Sequence, residues 1–127
     1  MTYSKIRRVQ FLQMNDSVPI EKKLTVNLLI EPGCLGPRGK ELIYDFCDFA
    51  LNIFESIGSD YLKWTIGARF DKSLPEVRYS VNNKNLNMEQ TSKYLQQFSL
   101  EIENFEEQLN ERVAFIIDHY HSHQKIA

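Results

Sequence analysis

Residues 32 to 40 read Pro-Gly-Cys-Leu-Gly-Pro-Arg-Gly-Lys, so a thiol and two cations stand among three glycines and two prolines. Glycine reaches positive φ at little cost and proline holds φ near about −65°, which makes this run a shaped turn. It follows an alternating, strand-like segment and opens a helix-like one. The N–H groups at a helix start attract anions, and Arg38 and Lys40 add positive charge there. Gly33, Cys34, Gly36, Arg38, Gly39 and Lys40 are therefore the candidate ligand- or anion-binding residues, with Cys34 a candidate reactive thiol. The run departs from a nucleotide-binding P-loop: five residues separate Gly33 from Gly39, one too many, and Glu41 stands where a hydroxyl is needed. It also departs from a phosphatase-type loop, because only three residues separate Cys34 from Arg38 and Lys40 sits where the arginine belongs.

A second set lies near the C-terminus, in Asp118-His119-Tyr120-His121-Ser122-His123. On a helix, His119 and His123 share a face and can chelate a metal, while His121 points elsewhere. Nothing of HExxH type accompanies them, and a helix C-terminus favours charged histidine without any metal. No cofactor is expected.

Two further constellations carry less. Arg8, Lys63, Arg69 and Arg78, with Thr25, Asn27 and Ser80, fall on the polar side of their segments and form a basic sheet face. RNA-binding sheets stack bases on aromatic rings, but Trp64, Phe70 and Tyr79 fall on the apolar side here, so nucleic acid is not an expected partner. Glu31, Asp71 and Glu76 flank turns, and no spacing brings two of them to one catalytic centre. No catalytic residue is assigned.

The elements that must position these groups follow from hydrophobic period. Residues 5–13 alternate as a first strand through Val9 and Phe11. Residues 23–31 form a second, with Leu24, Val26, Leu28 and Ile30 on one face. Residues 39–57 repeat apolar side chains at three and four and form a helix with an unusually wide apolar face, ended by Gly58. Residues 61–70 alternate cleanly through Leu62, Trp64, Ile66, Ala68 and Phe70; a hairpin-length loop leads to a strand over 77–81, closed by Asn82–Asn85. Residues 88–122 carry one helical stripe from Leu95 to Tyr120, opened by an Asn87–Gln90 capping box. A single helix of that length spans about 50 Å, against a radius of gyration of about 14 Å for a compact chain. It must therefore break, near Ser99–Leu100, or reach past the body toward a partner.

These readings give one α+β domain over residues 1–127, a four-stranded antiparallel sheet packed by two helices in the order ββαββα, with fraying expected at 1–4 and 123–127. The chain of 127 residues has only two cysteines, no apolar signal region behind MTYSKIRR and no run long enough to span a bilayer, which points to the cytoplasm and away from membranes. Its net charge of −2 is unevenly spread: residues 41–60 hold five acids and no Lys or Arg, whereas residues 1–40 hold seven Lys or Arg against three acids. Acidic helices, basic strands and a broad helical face point to a non-enzymatic protein-interaction or regulatory module acting as a homodimer with an unidentified protein partner. The alternative is a small ligand- or anion-binding protein, or an enzyme, with its site at the turn 32–40.

Overall fold

Seven residues, Leu24–Ile30, form strand β1, whose side chains alternate between buried and half-buried. The computed structural model describes residues 18–126. The strand expected over 5–13, with Arg8, lies outside those residues, as do residues 1–4. β1 is followed by a short 3-10 turn, Pro32–Leu35, and helix α1, Gly39–Phe54. Strand β2, Leu62–Ala68, then pairs with β1 in parallel, Leu24 beside Leu62 through Ile30 beside Ala68. Strand β3, Val77–Val81, pairs antiparallel with the other side of β1.

The sheet is thus mixed, not purely antiparallel, and its order is β2-β1-β3-β4, with β4 the short strand Lys84–Asn85. The physical reason is the connection. A parallel neighbour requires a crossover long enough to return the chain to its starting end, and α1 is that crossover. The loop from β2 to β3, residues 69–76, is longer than the expected hairpin loop and carries the chain across β1, so β2 and β3 are not neighbours. Arg69 holds this loop, donating from Nε to Leu74 O at 2.8 Å and from Nη2 to Lys72 O at 2.9 Å. Asp71 closes its first turn by accepting from the Ser73 hydroxyl at 2.7 Å.

The fourth described strand is β4, only Lys84–Asn85. Asn82 and Asn83 stand at φ 52° and 67°, the left-handed pair that a two-residue hairpin needs and that asparagine tolerates. The segment expected to end a strand is therefore a hairpin.

Among the described residues three α-helices, not two, accompany the sheet. Helix α2, Met88–Gln96, begins with the expected capping box: Gln90 N–H donates to Asn87 Oδ1 at 2.8 Å and Asn87 N–H to Gln90 Oε1 at 2.9 Å. It ends where Ser99 takes φ 63° and Leu100 N–H returns to Leu95 O at 3.0 Å. Helix α3, Ile102–Ile126, follows. The expected long helix is broken at its expected place, and the stripe continues across the break.

The core lies between one sheet face and the helices. Leu24, Val26, Trp64 and Tyr79 meet Ile43, Phe46 and Phe54 of α1 and Ile102, Leu109 and Ile116 of α3, all buried. Trp64 stacks near Phe54 and Phe105, with centroids 4.7 and 6.5 Å away, and its indole N–H is satisfied by Ile57 O at 2.9 Å. Each such side chain contributes about 1.5–3 kcal/mol by leaving water. The wide face of α1 is accounted for in this way, since it is shared between β2 and α3. Phe46 meets the Tyr120 ring edge-on at 5.2 Å, and Tyr120 in turn donates to Asp45 Oδ2 at 2.9 Å. Among the described residues no helix is long and apolar enough to cross a membrane.

Candidate functional site

The Gly/Pro turn does not gather its chemical groups at one point. Gly39 is there for packing: a Cβ would fall 1.8 Å from the Pro32 carbonyl oxygen. Gly36 is there for its backbone, at φ +94°. The amides that an anion would use are largely committed, with Gly39 N–H bonded to Gly36 O and the N–H groups of Glu41 and Leu42 both bonded to Arg38 O. Arg38 turns to Glu41, Nε to Oε1 at 2.8 Å, and this hydrogen bond and charge hold its pKa above the ordinary value. Arg38 lines a shallow cleft with Pro37, Leu42, Asp118 and His121, while Cys34 lines a different one. Gly33 has open space around it, and Lys40 is exposed.

His119 and His123 do share a face of α3, and that face rests on an aromatic ring. Phe49 of α1 lies 5.9 Å from the first imidazole and 6.0 Å from the second, and Phe115 stacks on His119 at 6.1 Å. Among the described residues no group of three His, Cys, Asp or Glu is placed to hold a metal ion.

The second cysteine, Cys47, is buried in α1, and burial followed by the charge of Asp48 raises its pKa to about 11. It is a core thiol. Cys34 is exposed and stands at the mouth of a cavity of about 340 Å³. That volume is within the range of small-ligand pockets.

This cavity lies between α3 and the seam where β1 and β3 meet. Leu28 and Val77, cross-strand partners, supply its sheet wall, with Ile30 at the strand end. Leu109, Val113 and Ile117 supply the helix wall because steps of four keep them on one face of α3. The rim is polar. Glu31 and Glu76 stand at the Cys34 end, and Glu106 and Asn110, one helical turn apart, stand on α3.

The rim carboxylates differ in their partners. Arg69, only 15% exposed, reaches Glu31 at 4.0 Å and Glu76 at 3.9 Å, and Lys72 reaches Glu31 at 3.0 Å. Glu106 has no cation near it among the described residues. Its Oε2 accepts from the Tyr79 hydroxyl at 2.7 Å. Burial, then that hydrogen bond and charge, push the Tyr79 pKa well above the ordinary value.

The sequence marks Glu31 and Glu76 as turn carboxylates, and the fold brings both to one rim through Arg69. It does not mark Glu106 or Asn110 as site residues. Their place depends on α3 running over the β1–β3 seam, a long-range pairing with no local signal. No protein-family model, curated protein or solved structure matches this chain significantly.

Proposed function

We propose that this chain is a binding module and that its ligand places an apolar group in the cavity between α3 and the β1–β3 seam. One observation carries the reading: an open cavity of about 340 Å³ has an apolar floor from Leu28, Val77, Leu109 and Val113 inside a polar rim. Apolar surface left in contact with water at that scale is favourable to cover. Binding is favoured over catalysis because, among the described residues, no histidine lines the cavity beside Cys34, and Arg69 and Lys72 already engage Glu31. The test is titration of the isotope-labelled protein with 1-hexanol, followed by amide NMR shifts. Shifts are expected at Leu29, Cys34 and Val113, and they should vanish in Ala114→Trp, which fills the cavity from an exposed position on α3. Absence of localised shifts in the wild-type protein defeats the reading.

Self-association is a second reading, favoured by the outer edge of β2. Leu24 N–H bonds to Tyr61 O and Arg69 N–H to Ile30 O, so the odd-numbered residues of this strand direct their polar backbone to β1. Trp64, Ile66 and Ala68 direct theirs outward, with no partner among the described residues. An edge left open among the described residues is a template for another strand. Tyr44 and Phe70, 64% and 54% exposed with rings 6.2 Å apart, lie beside its C-terminal end. Light scattering is expected to give a dimer, and Ala68→Pro, which removes an outward N–H, is expected to give a monomer. A wild-type monomer at micromolar concentration removes this reading.

A further inference from the structure

The unequal pairing of the three rim carboxylates selects among ligands. Glu31 and Glu76 have Arg69 between them, and Glu31 has Lys72 as well. Glu106 is half-buried, holds only a neutral hydroxyl at Oε2 and leaves Oε1 without a partner among the described residues. Asn110, one turn further along α3, adds an amide carbonyl on the same rim. Below both lies the apolar wall of Leu109 and Val113.

We propose that the cavity takes a cation-headed apolar ligand, an alkylammonium or alkylguanidinium group, with the cation on Glu106 Oε1 and Asn110 and the apolar body between α3 and the β1–β3 seam. The inference rests on the binding reading above and adds the chemical class. An acid-headed ligand meets the uncompensated Glu106 at one end of the rim and, at the other, Arg69 and Lys72 that already engage Glu31 and Glu76. A neutral alcohol gains the apolar contact but not the charged one. A carboxylate next to a low-dielectric wall is screened less than one in open solvent, so an ammonium donor there gains more than at an exposed pair. A hydrogen bond to a charged group is worth about 1.5–3 kcal/mol, at least about tenfold in affinity.

The geometry of α3 also orients the ligand. Tyr79 pairs with Val26 across the sheet and holds Glu106, whereas Cys34 follows the far end of β1. The cation therefore sits at the Tyr79 end and the apolar tail points toward Cys34.

The experiment compares hexylammonium, 1-hexanol and hexanoate on the full chain by amide NMR titration, with Ala114→Trp and Glu106→Gln alongside. The amide introduced by Glu106→Gln still offers Tyr79 an oxygen acceptor, so the variant removes the charge and keeps the bridge. The expected result is hexylammonium binding about tenfold more tightly than hexanol, with hexanoate weakest. Added salt should narrow the first gap and leave hexanol unaffected. Glu106→Gln should bring hexylammonium to the level of hexanol without changing hexanol itself. Equal binding of amine and alcohol, tighter binding of hexanoate, or no effect of Glu106→Gln overturns the cationic class while leaving the cavity as a binding site. Failure of all three probes to shift the cavity amides overturns the binding reading and this inference together.

Discussion

The hydroxyl of Tyr79 donates to Oε2 of Glu106 across 2.7 Å, joining the third strand to the C-terminal helix. Tyr79 is only 4% exposed and pairs across the sheet with Val26, so its hydroxyl is fixed by the core rather than by solvent. The bond consequently fixes where α3 lies over the β1–β3 seam, and with it the width of the cavity. Fold and candidate site depend on the same contact, and a substitution that breaks it should report on both.

Removal of that hydroxyl should be felt more than removal of the charge it meets. Tyr79→Phe leaves a half-buried carboxylate without its donor and should lower stability by about 1–2 kcal/mol. Glu106→Gln retains an acceptor and should cost less. Urea denaturation of the two variants checks the order, and a larger loss in Glu106→Gln contradicts it.

High pH should unfold the protein earlier than acid–base inert packing would allow. Burial first, and then Glu106 or Asp45, raise the folded pKa of Tyr79 and bring that of Tyr120 to about 12 from an ordinary value of 10.0. Burial likewise brings Cys47 to about 11 from 9.0. Above those ordinary values the unfolded chain releases protons that the folded chain retains, so stability falls as pH rises. The contribution is fully present below pH 9.0, begins to fall there with Cys47, steepens past 10.0, and for Tyr120 is lost through about 12. Urea midpoints measured across that interval should decline, and less steeply in Tyr79→Phe. A flat profile contradicts the assignment.

The parts of this fold that were legible are those set by neighbours in sequence. The period of two in Leu24–Ile30, the capping box at Asn87 and Gln90, and the break at Ser99 all rest on local geometry, and each is found. Strand pairing was not legible, because β2 and β3 each alternate equally well beside any partner. Only the crossover of α1 makes β1 and β2 parallel neighbours. The hairpin at Asn82 and Asn83 lacked the glycine that usually signals it. At the candidate site, Cys34 was legible as the polar group of a shaped turn. Its separation from Arg38 was not, because it follows from Arg38 pairing with Glu41 in the first turn of α1.

The three glycines of the turn should differ sharply when each is changed to alanine. At Gly39 the new methyl meets the Pro32 carbonyl at 1.8 Å, and neither backbone can yield without moving the start of α1. A loss of about 3 kcal/mol or more is expected. Gly36 has space around it but stands at φ +94°, so alanine there costs backbone strain of about 1–2 kcal/mol. Gly33 has neither constraint and should change stability by less than about 0.5 kcal/mol. Thermal denaturation of the three variants tests this ranking, and a large loss at Gly33 would show a contact that the fold does not contain.

Ser99 decides whether residues 88–126 form two helices or one. It stands at φ 63°, a region that costs a side chain about 1 kcal/mol and costs glycine almost nothing. Ser99→Gly should therefore stabilise the protein by about 0.5–1 kcal/mol, because the exposed serine side chain makes no hydrogen bond that glycine would lose among the described residues. Ser99→Val should destabilise it by more, since a β-branched side chain resists the left-handed region. In one continuous helix the glycine variant would instead be destabilised, by about 0.5–1 kcal/mol relative to a helix-forming residue. The sign of the glycine effect in urea denaturation thus separates the two arrangements. A broken helix predicts a gain, and with it the return of α3 over the sheet that builds the cavity wall from Leu109 and Val113.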